Sequence, residues 1–187
     1  MNISQFLNTI NSAITTKFKI AQNSGLEITQ LRKIENEMSV ILPNDLVEFY
    51  TISNGVKGND YIFNIIPFEN IEKETDELGS YLIFSEYMIY SETCGLEIDP
   101  IDNNKYRFFN TSSYPLNNGI INRNYVADSI IDFIKLYCQN GTLGIWREDN
   151  KNYGGENSDD KVTCENDKTR SLQFKALENK KPWWKFW

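Results

Sequence analysis

The chain has 187 residues, of which 40% are hydrophobic and 24% are charged, and its formal net charge is −7. This length suits one domain with a hydrophobic core, and the composition excludes wholesale disorder, a collagen-like repeat or a coiled coil as the overall description. The acidic balance argues against binding nucleic acid through its phosphates, because that mode needs a basic face. We therefore expect one soluble globular domain with a tail.

Helical periodicity marks the N-terminal part of the chain. Apolar residues at steps of three and four predict an amphipathic helix over residues 3–20, and a second helix is predicted over residues 29–38. A third helix is predicted over residues 43–53, because Pro43 suits a first helical turn, where its missing N–H would have no intrahelical acceptor. Gly55 can take the left-handed conformation that closes a helix, so the third helix is expected to stop before it.

Short aromatic and β-branched runs follow Gly55 and predict strands of a mostly antiparallel sheet. These runs are residues 61–66, 81–84, 87–90, 97–98 and 106–109. Between residues 68 and 79 the spacing fits either a helix or a polar loop, and residues 114–124 fit a loop or a further short strand. Asp128 and Ser129 can cap a last helix that runs to about Tyr137.

The composition changes after the last predicted helix. We expect a compact domain over residues 1–146, followed by a polar and mobile segment over residues 147–187 that ends in a basic, Trp-rich tail. Three contacts are open for Trp183, Trp184 and Trp187: the chain's own domain or a neighbouring chain, a groove of a protein partner, or a lipid headgroup region.

The composition also limits the chemistry. The chain contains no histidine, which excludes Ser/His/Asp and Cys/His catalysis and removes the commonest metal ligand. Paired carboxylates, such as Asp99 with Asp102, fall in no metal-binding or glycosidase pattern, and no phosphate-binding or dinucleotide fingerprint occurs. We therefore predict a protein that is not an enzyme and has no cofactor and no metal.

Three features predict a cytoplasmic protein. The three cysteines are an odd number without a CxxC pair, which suits reduced thiols rather than disulfides or a zinc site. The N-terminus lacks the basic region and continuous apolar run of a signal peptide. No stretch approaches the length of a membrane span.

Acidic residues concentrate between Glu69 and Asp102, where ten acids stand against Lys73 alone. Such a stretch forms either a solvated face or a surface that attracts a basic partner by complementary potential. If the stretch attracts a basic partner, the candidate partner-binding residues are Glu69, Glu72, Asp76, Glu86, Glu97, Asp99 and Asp102.

Residues 35–55, ENEMSVILPNDLVEFYTISNG, resemble the SUKH superfamily, the Smi/Knr-type domain of many bacterial immunity proteins. The family's pattern is an acidic helix, an LP pair and a helix that ends in NG. The likeness continues in order through residues 65–71, 81–86 and 126–134, so that it covers about residues 26–137. Residues 87–90 depart from the family's pattern: they are YMIY, whereas a Gly/Asp-rich turn often stands at this place.

The resemblance implies an α+β fold in which helices pack against a central sheet. It also implies an immunity protein that binds and neutralises a cognate bacterial toxin in a polymorphic or contact-dependent toxin system, without catalysis. The alternative is an interaction or regulatory module of the same fold without a toxin partner.

Overall fold

The computed structural model describes residues 2–12, 17–60, 62–87, 92–111 and 123–146. The helices are α1 (Ile3–Ile10), α2 (Ile28–Met38), α3 (Asn44–Ile52), α4 (Ile130–Asn140) and α5 (Thr142–Trp146), with a short 3-10 helix at Phe68–Asn70. The strands are β1 (Ile20–Gln22), β2 (Val56–Gly58), β3 (Phe63–Ile65), β4 (Lys73–Asp76), β5 (Gly79–Tyr87), β6 (Glu92–Ile98), β7 (Tyr106–Asn110) and β8 (Asn124–Ala127). This is the α+β architecture that the sequence predicted.

The strands of the described residues form one sheet in the order β1-β2-β3-β5-β6-β7-β8, in which neighbouring strands are antiparallel. Strand β4 lies off this path and pairs with β5. One edge of β5 therefore pairs with two strands. Strand β4 pairs with its first half, up to Leu82, and β3 pairs with its second half, from Ser85. This arrangement places the β4–β5 turn at the end of the sheet where β5 begins.

The helices cover one face of the sheet through an aromatic core. The ring centroid of Phe108 lies 4.6 Å from those of both Phe84 and Phe133, which joins β5 and β7 to α4. Phe63 of β3 stacks on Tyr137 of α4 at 4.1 Å. All five residues are buried, so their large apolar areas supply much of the burial that stabilises the fold.

The prediction of one long N-terminal helix was wrong, because α1 ends at Ile10 and Ile20 begins a strand. The Asn11 side chain donates a hydrogen bond to the Ile20 carbonyl oxygen (2.7 Å) and accepts one from the Ile20 amide (3.0 Å). Asn side chains that form hydrogen bonds with backbone groups outside a helix compete with helix formation. The helix therefore stops at Ile10, although apolar residues continue at helical spacing beyond it.

The segment between residues 68 and 79 is neither of the two predicted alternatives. It contains the 3-10 helix and then β4, which pairs with β5 from Lys73↔Leu82 to Asp76↔Gly79. The β4 side chains are mostly exposed and polar, so they lack the apolar alternation by which a strand is recognised.

The other helix predictions are confirmed within a few residues at each end. Ser129 caps α4, since its side chain accepts a hydrogen bond from the Asp132 amide, and α4 runs three residues past the predicted end. The predicted strand over residues 87–90 overlaps the end of β5 at Tyr87, whereas residues 88–90 lie outside the described part of the chain.

Candidate protein-binding surface

Asn54 and Gly55 connect α3 to the sheet. The Asn54 side chain accepts a hydrogen bond from the Phe68 amide (2.8 Å), and so caps the 3-10 helix, and donates one to the Glu69 carboxylate (2.7 Å). Gly55 has a φ of +87°, and a Cβ there would lie 2.4 Å from the Ile65 carbonyl oxygen. The NG pair therefore fixes where the chain leaves α3 for the sheet.

A polar and aromatic face lies on the side of the sheet opposite the helices. Alternation along the strands sends Leu82, Leu96 and Phe108 into the core, so their strand neighbours point the other way. We call this side the outer face; its members on β4 to β8 are Glu74, Asp76, Tyr81, Glu97, Arg107, Phe109 and Tyr125.

Arg123, immediately before β8, is the centre of the outer face. Its guanidinium donates to both carboxylate oxygens of Asp76 (2.7 and 3.3 Å), to Glu97 (2.6 Å) and to the Gly79 carbonyl oxygen (3.0 Å). The guanidinium carbon lies 4.6 Å from the Phe109 ring centroid. The Arg123 side chain is only 2% exposed, so these partners offset the large cost of desolvating its charge.

Two tyrosine hydroxyls donate to acids of the same face. Tyr81 donates to Glu74 (2.7 Å) and Tyr125 donates to Glu97 (2.5 Å). Burial, aided by the bond to Glu74, raises the pKa of Tyr81 to about 12. Burial and the bond to Glu97 likewise raise the pKa of Tyr125 above its ordinary value, so both hydroxyls are donors at neutral pH.

The β4–β5 turn and the β6–β7 turn lie at one end of the sheet, which we call the hairpin end and define as residues 76–79 and 97–105. The two turns are close to each other, because the Arg123 guanidinium donates hydrogen bonds to Asp76 and Gly79 at the first turn and to Glu97 beside the second. The register agrees: with Leu82 opposite Leu96, Gly79 falls level with Asp99.

Carboxylates also order the β6–β7 turn itself. Asp99 accepts from the Ile101 and Asp102 amides (2.8 and 3.1 Å), and Asp102 accepts from the Asn104 amide (3.2 Å). The Lys105 ammonium lies 3.2 Å from Asp102. The bonds from Lys105 and Asn104 hold the pKa of the Asp102 carboxyl below its ordinary value, so this exposed group is ionised at neutral pH.

The candidate acids do not form a single surface. Asp76, Glu97, Asp99 and Asp102 come together at the hairpin end. Glu72 is exposed before β4, four residues from Asp76 along the chain. Glu69 and Glu86 lie elsewhere and bind internal partners, namely Asn54 (2.7 Å) and Asn64 (2.8 Å).

Sequence reasoning missed Arg123, which neutralises part of the acidic stretch. It lies 47 residues from Asp76 and 26 from Glu97 along the chain, in a segment without regular periodicity, so no local pattern identified its partners. A local pattern does mark the two turns of the hairpin end. In each, an Asp stands two residues before an exposed aliphatic residue, as in Asp76-Glu77-Leu78 and Asp99-Pro100-Ile101.

The remaining predictions concern metals, membranes and the tail. No group of three or more acidic or cysteine side chains among the described residues is arranged to hold a metal ion. In the same part of the chain, the helices are too short or too polar to cross a membrane. Trp183, Trp184 and Trp187 lie outside the described residues.

Comparison with known proteins tests the family resemblance. The model of the SMI1 / KNR4 family (SUKH-1) matches residues 25–136, which is more than half of the chain and contains every segment that carried the resemblance. No curated protein and no solved structure matches the chain. The LP-helix-NG pattern also has a structural role here, through the cap on Phe68 and the close approach at Gly55. The chain is thus a member of the SMI1 / KNR4 family (SUKH-1).

Proposed function

We propose that this protein is an immunity protein that binds a cognate bacterial toxin domain and neutralises it without catalysis. Membership of the SMI1 / KNR4 family supports the class of function, since immunity proteins are common in the SUKH superfamily. The proposed toxin belongs to a polymorphic or contact-dependent system, and the proposed place of action is the cytoplasm of the producing cell. Cys94 and Cys138 suit that compartment, because both are buried free thiols.

The observation that carries the proposal is the charge that remains at the hairpin end after internal pairing. Arg123 binds Asp76 and Glu97, but Glu77, Asp99 and Asp102 stand on the turns themselves. Lys105 pairs with Asp102, so the exposed turns retain a net negative charge. A negative surface of this kind speeds encounter with a positively charged partner and selects against negatively charged ones.

The proposed mechanism is steric. A bound immunity protein covers the toxin's substrate-binding cleft or holds the toxin in an inactive conformation, and neither mode requires a reactive group. Charge brings the two proteins together, and apolar contacts then determine how long the complex lasts.

The direct test is co-expression of the chain with the C-terminal domain that the gene immediately upstream encodes. Cell survival and co-purification are scored in the same cultures. Survival with a stable complex supports the proposal, whereas continued killing without a complex removes that domain as the target and favours an interaction module without a toxin partner.

The role of charge is tested by removing it without changing side-chain shape. The variant E77Q/D99N/D102N retains the oxygen acceptors that order the turns but removes three charges. The control E27Q/E37Q/E48Q removes three charges from α2, α3 and the residue before α2. We expect association at low salt to slow by about tenfold for the first variant and by less than about twofold for the control.

A further inference from the structure

Two turns at the hairpin end present aliphatic side chains to solvent by the same arrangement. In each turn an Asp carboxylate accepts a hydrogen bond from the amide two residues later: Asp76 from Leu78 (2.7 Å) and Asp99 from Ile101 (2.8 Å). Leu78 is 45% exposed and Ile101 is 77% exposed. The hydrogen bonds fix the backbone beneath both side chains, so less freedom is lost when a partner covers them.

The two turns that carry these side chains lie at the same end of the sheet. Arg123 bonds Asp76 and the Gly79 carbonyl on either side of Leu78, and it also bonds Glu97 of the strand that leads to Ile101. The described part of the chain shows exposed aliphatic residues at other turns too, and single ones are ordinary on any protein. Leu78 and Ile101 differ from single exposed residues in that both stand on ordered turns at one end of the sheet.

The same end of the sheet is negatively charged. The hairpin end carries Asp76, Glu77, Glu97, Asp99 and Asp102, while its cations are Lys105 and the adjoining Arg123. The hairpin end thus combines two exposed aliphatic side chains with an excess of negative charge. A protein partner that complements it has an apolar hollow with Lys and Arg side chains around the hollow.

We infer that Leu78 and Ile101 are the apolar anchors by which the hairpin end holds a protein partner with a basic rim. This inference rests on the proposed function and identifies the contact residues for the toxin domain. The anchors stabilise the complex after electrostatic encounter, so their removal acts on the dissociation rate more than on the association rate.

The chain offers matched controls. Ile62 follows Asp60 in the same arrangement, with its amide donating to Asp60 (3.2 Å), but it precedes β3 and so lies at the opposite end of β5 from Leu78. Ile28, at the start of α2, is 45% exposed, as Leu78 is. The variants L78D/I101D and I28D/I62D therefore add the same charge at exposed aliphatic positions, although Ile62 is less exposed (37%) than Ile101.

The experiment measures binding of the full-length chain to the toxin domain of the upstream gene, purified with an inactivating substitution. We expect L78D/I101D to weaken binding at least tenfold, mainly through faster dissociation, and I28D/I62D to change it less than twofold. The conservative variant L78M/I101L should bind within about threefold of the unaltered chain. Melting temperatures of all variants establish that they are folded, which is expected because the altered side chains are exposed.

The outcomes separate the two proposals. If the unaltered chain fails to bind or to protect cells, the proposed function is overturned, together with the inference that rests on it. If the unaltered chain binds and L78D/I101D binds equally well, or if I28D/I62D weakens binding as much, the hairpin end is not the contact surface and only the inference fails.

Discussion

The Tyr106 hydroxyl donates a hydrogen bond to the Asp45 carboxylate and accepts one from the Ile130 amide (2.9 Å). One side chain of β7 thereby joins the first turns of α3 and α4, two helices that are distant in sequence. Burial and the bond to Asp45 raise the pKa of Tyr106 well above its ordinary value, so the hydroxyl remains a donor throughout the neutral range.

We expect Tyr106→Phe to destabilise the protein by about 1–3 kcal/mol, because the buried Ile130 amide then loses its acceptor. Urea unfolding at neutral pH measures this loss. Tyr125→Phe is the control, since its hydroxyl also bonds a carboxylate but the residue is 37% exposed against 7% for Tyr106, and it should cost less than about 1 kcal/mol. Equal losses in the two variants would contradict a special role for Tyr106.

Replacing Arg123 by Leu should cost about 2–4 kcal/mol, because Asp76 and Glu97 are then left without their cation. These carboxylates are 26% and 21% exposed, so water screens part of the effect. The triple variant D76N/E97Q/R123L removes all three charges and should recover part of the stability. No recovery in thermal or urea unfolding would mean that packing of the Arg123 stem, rather than charge, accounts for the loss.

Gly55→Ala should destabilise by about 2–4 kcal/mol, since the new Cβ meets the Ile65 carbonyl oxygen at 2.4 Å in a backbone conformation with a φ of +87°. Gly79 distinguishes the steric clash from the strain of a positive φ, because its φ is +129° but nothing lies within 4 Å of a Cβ there. Gly79→Ala should therefore cost only about 1–2 kcal/mol. Chemical denaturation of both variants gives the comparison, and a larger loss at Gly79 would contradict the clash at Gly55.

Burial raises the pKa of the Cys94 thiol to about 12, although the nearby Ser85 hydroxyl acts in the opposite direction. A thiol with a raised folded-state pKa stabilises the fold fully below its unfolded-state pKa, and this contribution is lost as the pH rises toward 12. Over that interval the group should remove about 1.4 kcal/mol of unfolding free energy per pH unit. Urea unfolding between pH 9 and pH 11 should thus show a steeper decline for the unaltered protein than for Cys94→Ala, and parallel declines would contradict the assignment.

The helices were largely predictable because their signals are local. The apolar spacing of α2, α3 and α4 and the Ser129 cap of α4 lie within each segment, and the chain ends α3 before Gly55 as predicted. The end of α1 was not predictable, since it depends on hydrogen bonds between Asn11 and Ile20, nine residues away. Local periodicity cannot report such a contact.

The candidate surface was predictable only in part. The excess of acids between residues 69 and 102 is visible in the sequence, and four of the seven candidates do meet at the hairpin end. Which acids remain available depends on Arg123, whose partners come together only when β4, β6 and β8 are assembled. A charge count along the chain therefore identified the region but not the pairing within it.

The position of Arg123 also affects how the sheet opens. In the described sheet β4 has β5 as its only neighbour and β8 has only β7, and strands with one neighbour are the first to lose their backbone hydrogen bonds. Because Arg123, which immediately precedes β8, binds Asp76 of β4, separating either strand from the sheet breaks the bonds between these two side chains. The fluctuations of β4 and β8 are thus coupled. Amide hydrogen exchange in β4 and β8 should follow a common opening in the unaltered protein and two independent openings once Arg123 is replaced.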